Sequence, residues 1–245
     1  MLTPTQDPAK RYRLRYNLEA LERVREAIGE SAYSRLRGLI LLRLEGSSFK
    51  GTQTGVKVAV AFSAGSDSTA TLKILRWAGF EAVPITAKLP QMDGETLQKV
   101  RSEGAVLVDV PGYEEAMMEL IEKGAPICGR CHSMVMEAVE RKARELGVRI
   151  LATGDMLSSG LISIYEKNDL VVLNLPAFLA LDKGEIIEII GGKYELSFGC
   201  PLLWELFRRS PSTKRLALQR ILRETRAGAL SPAMAVELMR DVLNR

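Results

Sequence analysis

The chain has 245 residues, 47% hydrophobic and 26% charged, with a formal net charge of +4, enough apolar material for one large core with or without appendages. No stretch approaches the roughly 18 uninterrupted apolar residues that cross a bilayer, and the opening MLTPTQDPAKRYR lacks the apolar segment of a secretory signal. A cytoplasmic protein without a membrane partner is expected.

In chain order, Leu18, Leu21, Val24 and Ile28 recur every three or four positions, and Leu36, Leu39, Ile40 and Leu42 follow. That spacing predicts a helical N-terminal extension over residues 1–51, ending in a Gly-Ser-rich joint. From Val56 the rhythm changes. Short β-branched runs (Val56–Phe62, Ala82–Ala87, Ala105–Val110, Arg149–Thr153, Leu170–Leu175) alternate with helical stretches near Asp67–Trp77, Gly94–Glu103, Tyr113–Lys123 and Ser133–Leu146. The alternation predicts an α/β fold, a doubly wound parallel sheet covered on both faces, over residues 52–200. Pro201–Arg208, Thr213–Arg226 and Ser231–Leu243 predict a C-terminal helical region over 201–245, with Ser231-Pro232 as cap and first turn.

The first strand breaks at Ser63-Ala64-Gly65-Ser66-Asp67-Ser68. In such sheets ligands sit at the carboxyl ends of strands, near the switch in strand order. A strand-to-helix turn there presents backbone N–H groups and a positive helix end, which suit phosphate. Gly65 allows close backbone approach, Ser63, Ser66 and Ser68 add hydroxyls, and Asp67 suits either a helix cap or a magnesium ion. An ordinary βα loop has the same composition. Neither G-x-x-x-x-G-K-[ST] nor G-x-G-x-x-G after a strand occurs.

The three cysteines are Cys128 and Cys131, spaced C-x-x-C, and Cys200 before Pro201. In a cytoplasmic chain they point to metal binding or redox chemistry rather than structural disulfides. Three thiolates leave a tetrahedral zinc one ligand short, and the single histidine, His132, adjoins Cys131 awkwardly. Three thiolates can instead hold three irons of a cubane cluster and leave the fourth open. A buried Cys200 beside an incidental pair is the plainer alternative. Trp204 and Phe207 beside Cys200 suit either a shield against water or plain core.

The Ser63–Ser68 break resembles the PP-loop, S-G-G-x-D-S, of the ATP pyrophosphatase superfamily, with Ala64 in place of the first glycine. An ordinary backbone conformation tolerates that methyl group; a positive φ makes the loop strained or inactive. With PICGRC (Pro126–Cys131), ILATGD (Ile150–Asp155), FGCP (Phe198–Pro201) and SPSTKRLALQRIL (Ser210–Leu222), the order of motifs resembles the TtcA/TtuA family of tRNA thiolases over roughly residues 55–225. The resemblance implies a Rossmann-like domain binding ATP and Mg2+ through Ser63–Ser68, Thr153 and Gly154, and a 4Fe-4S cluster on Cys128, Cys131 and Cys200. It also implies Asp155 as a catalytic group, tRNA as acceptor, sulfide or a donor protein as sulfur source, and a homodimer.

The implied activity is adenylation of a carbonyl oxygen and its replacement by sulfur. Departures are the absent zinc-ribbon cysteines, Val135 where a basic residue often stands (with Arg130 as a substitute), Asp155 for a usual histidine, and Ser158 for an expected aspartate. Basic clusters at Lys10–Tyr16 and Arg208–Arg226 suit nucleic acid or solvated helix faces equally. Small-molecule thiolation, desulfuration, ammonia-dependent ligation and non-catalytic nucleotide binding stay open as alternatives.

Overall fold

A computed structural model of the chain describes residues 2–156, 163–192, 194 and 196–245. The predicted apolar runs pair into one sheet: Lys57–Ala61 (β1), Glu81–Lys88 (β2), Val106–Asp109 (β3), Ile150–Thr153 (β4) and Leu170–Asn174 (β6), with an edge strand, Ile164–Lys167 (β5). The order is β3-β2-β1-β4-β6-β5. All neighbours are parallel except β5 and β6. In central β1, Val58, Ala59 and Val60 are all buried, as a strand covered on both faces requires.

β5 was not foreseen. It joins β6 through a two-residue turn at Asn168-Asp169, with Lys167 opposite Leu170 and Asn168 left-handed at φ 55°, a hairpin signal hidden in a polar stretch.

The covering helices are Ser66–Trp77 (α3), Gly94–Ser102 (α4), Tyr113–Glu122 (α5) and Cys128–Glu145 (α6). α6 starts five residues ahead of its predicted start at Ser133. Its N-cap, Ile127, makes no side-chain capping bond, so nothing in the local sequence marks the boundary. The consequence is chemical, because Cys128 and Cys131 occupy the first turn of a helix rather than a loop.

Two short helices follow β6, Leu175–Phe178 (α7) and Lys183–Ile190 (α8). α8 is capped reciprocally: Glu185 N–H donates to Asp182 Oδ1 at 2.9 Å, and Asp182 N–H to Glu185 Oε2 at 3.0 Å. The N-terminal helices, Pro8–Arg23 (α1) and Arg25–Glu45 (α2), begin at an Asp7 cap with Pro8 in the first turn. α2 is kinked at Gly29, φ 78°, a conformation open to glycine.

Leu14, Leu21, Leu36, Leu39 and Ile40 share one apolar core with β1, α3 and α7. Polar anchors cross the same contact. Buried Asn17 donates from Nδ2 to Phe178 O at 2.8 Å and accepts at Oδ1 from Ser163 Oγ at 2.7 Å. Arg43, 1% exposed, donates to Leu179 O and Thr3 O. Its Nη2 lies 2.8 Å from Glu185 Oε1, out of line for a directed hydrogen bond but within ion-pair reach.

Pro201–Arg209 (α9), a 3-10 turn at Pro211–Thr213, Lys214–Arg226 (α10) and Pro232–Asn244 (α11) complete the chain. Ser231 caps α11 by accepting from Met234 N–H at 3.3 Å, as Ser-Pro predicts. Leu206, Phe207, Ile221, Leu238 and Val242 build a second core with Tyr113, Met117 and Ile121 of α5. Among the described residues no helix is long and apolar enough to cross a membrane.

Candidate active site at the β1–β4 switch point

From β1 the chain runs one way to β2 and β3, while β4 and β6 extend the sheet on the other side. The strand order reverses between β1 and β4, and their carboxyl ends open a cleft. Ser63–Ser68 leaves β1 and Thr153–Asp155 leaves β4. Ser63, Gly65, Ser66, Asp67, Ser68, Gly154 and Asp155 line one cavity of about 310 Å³ together with Cys128 and Cys200.

The loop is held from within. Ser63 N–H donates to Ser68 Oγ at 3.2 Å, and the Ser68 hydroxyl donates to Gly65 O at 3.1 Å and lies 3.2 Å from Ser63 Oγ. Gly154 is required for the close approach of β4: a Cβ there would come within 2.9 Å of Ser68 N and 3.0 Å of Asp67. Buried Thr153 serves the turn, donating from Oγ1 to Asn174 Oδ1 at 2.8 Å and accepting from Asp155 N–H at 3.1 Å.

Ala64 answers the question its methyl group raised: φ is 59°. The left-handed conformation is strained for alanine by roughly 1–2 kcal/mol. Glycine relieves this but costs unfolded-state entropy. Ala64→Gly is therefore expected to stabilise the protein by about 0.5–1 kcal/mol, read as a higher denaturant midpoint at unchanged slope; a lower midpoint would show that the loop is not held left-handed.

A lysine that sequence reasoning missed reaches into this loop. Lys183, the first residue of α8, donates to Asp67 Oδ1 at 2.6 Å and Ser66 Oγ at 2.8 Å. Its only local signal is the Asp182–Glu185 capping box, which marks a helix start and says nothing of where the ammonium goes.

Two of the three thiols, Cys128 and Cys200, line the same cavity; Cys131 does not. Cys128 opens α6, and Cys200 is the N-cap of α9. Cys131 and Cys200 both pack beside the second core, and Cys131 Sγ lies 3.1 Å from the buried Tyr113 hydroxyl. Burial pushes the Cys128 thiol up, Cys200 adds to this, and Arg220 pulls it back. Cys128 is exposed as a residue, so the desolvation falls on a sulfur facing the crowded cleft. Burial likewise pushes Cys131 up, against the Tyr113 hydrogen bond. Among the described residues, no three His, Cys, Asp or Glu side chains gather tightly enough for a single metal ion.

The remaining expectations scatter. His132 and Arg130 are exposed. Val135 lines a second, apolar cavity of about 220 Å³ with Phe62, Ile85, Ala87 and Met92, adjoining Ser63. Ser158 lies outside the described residues. Phe207 is core at 1% exposed, and Trp204 ties Phe198 O through its indole N–H at 2.8 Å. Arg220 stands exposed at the cleft rim, paired with Glu224 at 2.8 Å.

The N-terminal basic cluster is largely committed within the chain. Lys10 pairs with Asp182 and Glu185, Arg11 donates to Leu44 O, and Arg13 to Ala227 O.

No protein-family profile matches the chain. A solved U34-tRNA thiolase, NcsA from Methanococcus maripaludis with its 4Fe-4S cluster, is 14% identical at a TM-score of 0.42, with 87% of this chain and 78% of that chain covered. The chain is 28% identical over 247 residues to the uncharacterised protein MJ1638 of Methanocaldococcus jannaschii, spanning 96% of its own length and 94% of that relative's.

Proposed function

We propose that the protein is an ATP-dependent sulfurtransferase of tRNA-thiolase type, which adenylates a carbonyl oxygen of a tRNA base and replaces it with sulfur. The observation that carries this reading is the single cleft onto which the Ser63–Ser68 loop, Asp155, Cys128 and Cys200 all open. A loop built for phosphate and a set of thiols have no common use in an ordinary βα connection.

The triphosphate lies along Ser63–Ser68 and the first turn of α3, where backbone N–H groups point outward. The purine enters the apolar cavity beside Ser63, between Phe62, Ala87 and Met92. Asp67 takes the magnesium ion that accompanies the nucleotide. The acceptor carbonyl oxygen attacks the α-phosphorus, and pyrophosphate leaves. Sulfur then attacks the adenylated carbon, and AMP departs with the oxygen. Asp155, on the same cleft, accepts at its carboxylate the proton that the base's ring nitrogen sheds as the adjacent carbonyl oxygen is adenylated.

Three thiolates match the protein ligands of a cubane with one open iron: Cys128 and Cys200 line the cleft, and Cys131 lies in the same first turn of α6 as Cys128. Cys128, Cys131 and Cys200 would hold it, and when bound it supplies an open iron for a sulfur atom. With Lys10, Arg11 and Arg13 engaged internally, tRNA phosphates would dock chiefly along α10, whose Arg215, Arg223 and Arg226 belong to the second basic cluster.

A non-catalytic nucleotide-binding iron–sulfur protein is the second reading, favoured by the strained Ala64. One experiment separates them: anaerobic protein, ATP, sulfide and bulk tRNA, followed for pyrophosphate release and for thionucleosides by mass spectrometry. Both products are expected. Pyrophosphate without thiolated tRNA transfers the reading to a small acceptor, and no pyrophosphate at all leaves the binding protein.

A further inference from the structure

The three cysteine sulfurs sit in different surroundings. Cys128 and Cys200 line the cleft, whereas Cys131 packs against the second core with its Sγ 3.1 Å from the Tyr113 hydroxyl. Among the described residues this is the one side-chain hydrogen bond made to a cysteine sulfur.

The phenol is held from both sides. Tyr113 opens α5 behind Gly112, whose φ of 69° turns the chain into the helix, and it is 3% exposed in the core with Met117, Ile121 and Phe207. Gln91, in the connection between β2 and α4, donates from Nε2 to the phenol oxygen at 2.9 Å. A phenol has one proton to give. With Gln91 donating to the oxygen, that proton is left for the sulfur. A metal-bound thiolate carries no proton, so in the loaded protein the bond runs from Tyr113 to Cys131 and is charge-assisted.

Gln91 shows that the direction matters. Its Oε1 is buried without a hydrogen-bond partner among the described residues, an arrangement that costs stability. Reversing the amide would put Oε1 on the phenol, draw the proton away from the sulfur and bury two amide N–H donors in place of one acceptor. An apolar side chain would fill the place without either cost. A glutamine that leaves an oxygen unpaired is explained by what its N–H does to Tyr113.

We propose that Tyr113 is a positioning residue for the iron-bound cysteines, its proton held on the Cys131 sulfur with the help of Gln91. This rests on the cluster reading given above. A hydrogen bond to a ligand sulfur draws charge off it, which favours the more negative, reduced state of a cluster and raises its reduction potential. It also anchors the ligand that does not line the cleft, while Cys128 and Cys200 stay beside the loop and Asp155.

Spectroelectrochemical titration of the full chain, reconstituted without oxygen, tests this. Tyr113→Phe keeps the ring and removes the donor. At a given potential its reduced-to-oxidised ratio is expected to fall about tenfold, a midpoint about 59 mV lower for a one-electron couple. Gln91→Leu breaks the same Gln91–Tyr113 bond but leaves the hydroxyl on the sulfur, so its midpoint should fall by clearly less. Wild-type sequence grown with 3-fluorotyrosine, whose more acidic phenol is a stronger donor, should move the other way. A merely structural tyrosine would lower the melting temperature of the iron-free protein and leave the potential unmoved. Equal midpoints in wild type and Tyr113→Phe, or an equal fall in both variants, overturn the sulfur bond and leave the cluster reading standing. Should Tyr113→Phe take up no iron, the fluorinated protein decides: a midpoint at or below that of wild type overturns the bond. Wild type that takes up no 4Fe-4S cluster overturns both.

Discussion

Cys200→Ser, purified without oxygen, is expected to lose its iron while keeping its fold. Wild-type protein should carry about four irons and four acid-labile sulfides per chain, with broad visible absorption and an EPR signal on reduction. The variant should retain few of either after reconstitution, because serine gives a harder, more basic ligand in place of a thiolate.

The substitution is unusually clean. Cys200 is the N-cap of α9 and makes no side-chain capping bond, whereas serine is among the best N-cap residues, worth about 1 kcal/mol over a non-capping one. Iron-free Cys200→Ser should therefore melt at or above the temperature of iron-free wild type, so lost iron cannot be assigned to lost structure. Zinc or no metal in reconstituted wild-type protein would remove the cluster and leave a PP-loop enzyme that works without it, for which Cys200→Ser would keep full ATP turnover.

The second large effect lies far from the thiols. Arg43→Met should destabilise the protein by about 3 kcal/mol, within the range for breaking a buried ion pair by removing one partner. For a chain of this size that corresponds to roughly a 10 °C fall in melting temperature. Arg43 is 1% exposed and bridges α2, the N-terminal strap at Thr3, the end of α7 at Leu179 and α8 at Glu185. Methionine fills part of the volume but leaves those carbonyls without a donor. Glu185 keeps Lys10, which limits the loss. A melting temperature within about 2 °C of wild type would mean that the N-terminal helices contribute little to seating α8.

Much of the architecture was legible in the chain because it rests on local patterning. Runs such as Val56–Phe62 and Leu170–Leu175 can be buried on both faces only in a parallel sheet, and their alternation with helical stretches leaves few other folds. Ser231-Pro232 announced α11 by the chemistry of two residues. The Ser63–Ser68 break announced a loop at a strand end, where this class of sheet binds ligands.

What stayed hidden depends on partners distant in sequence or on backbone angles. Ile127 starts α6 without a cap, so the first-turn position of Cys128 is fixed by packing. The β5 edge strand is half polar and exists through its pairing with β6. Ala64 has a residue type compatible with either sign of φ, and the sign follows from how Ser68 pins the turn from below.

The sequence by itself determined the fold class, the switch-point loop and the three thiols, because residue type and periodicity carry them. Tertiary structure alone decided that the loop and two of those thiols share one cleft, and that Lys183 meets Asp67. That pair is separated by 116 residues, and such a meeting is set by how α8 is seated on α3 and the N-terminal helices, for which no local pattern exists.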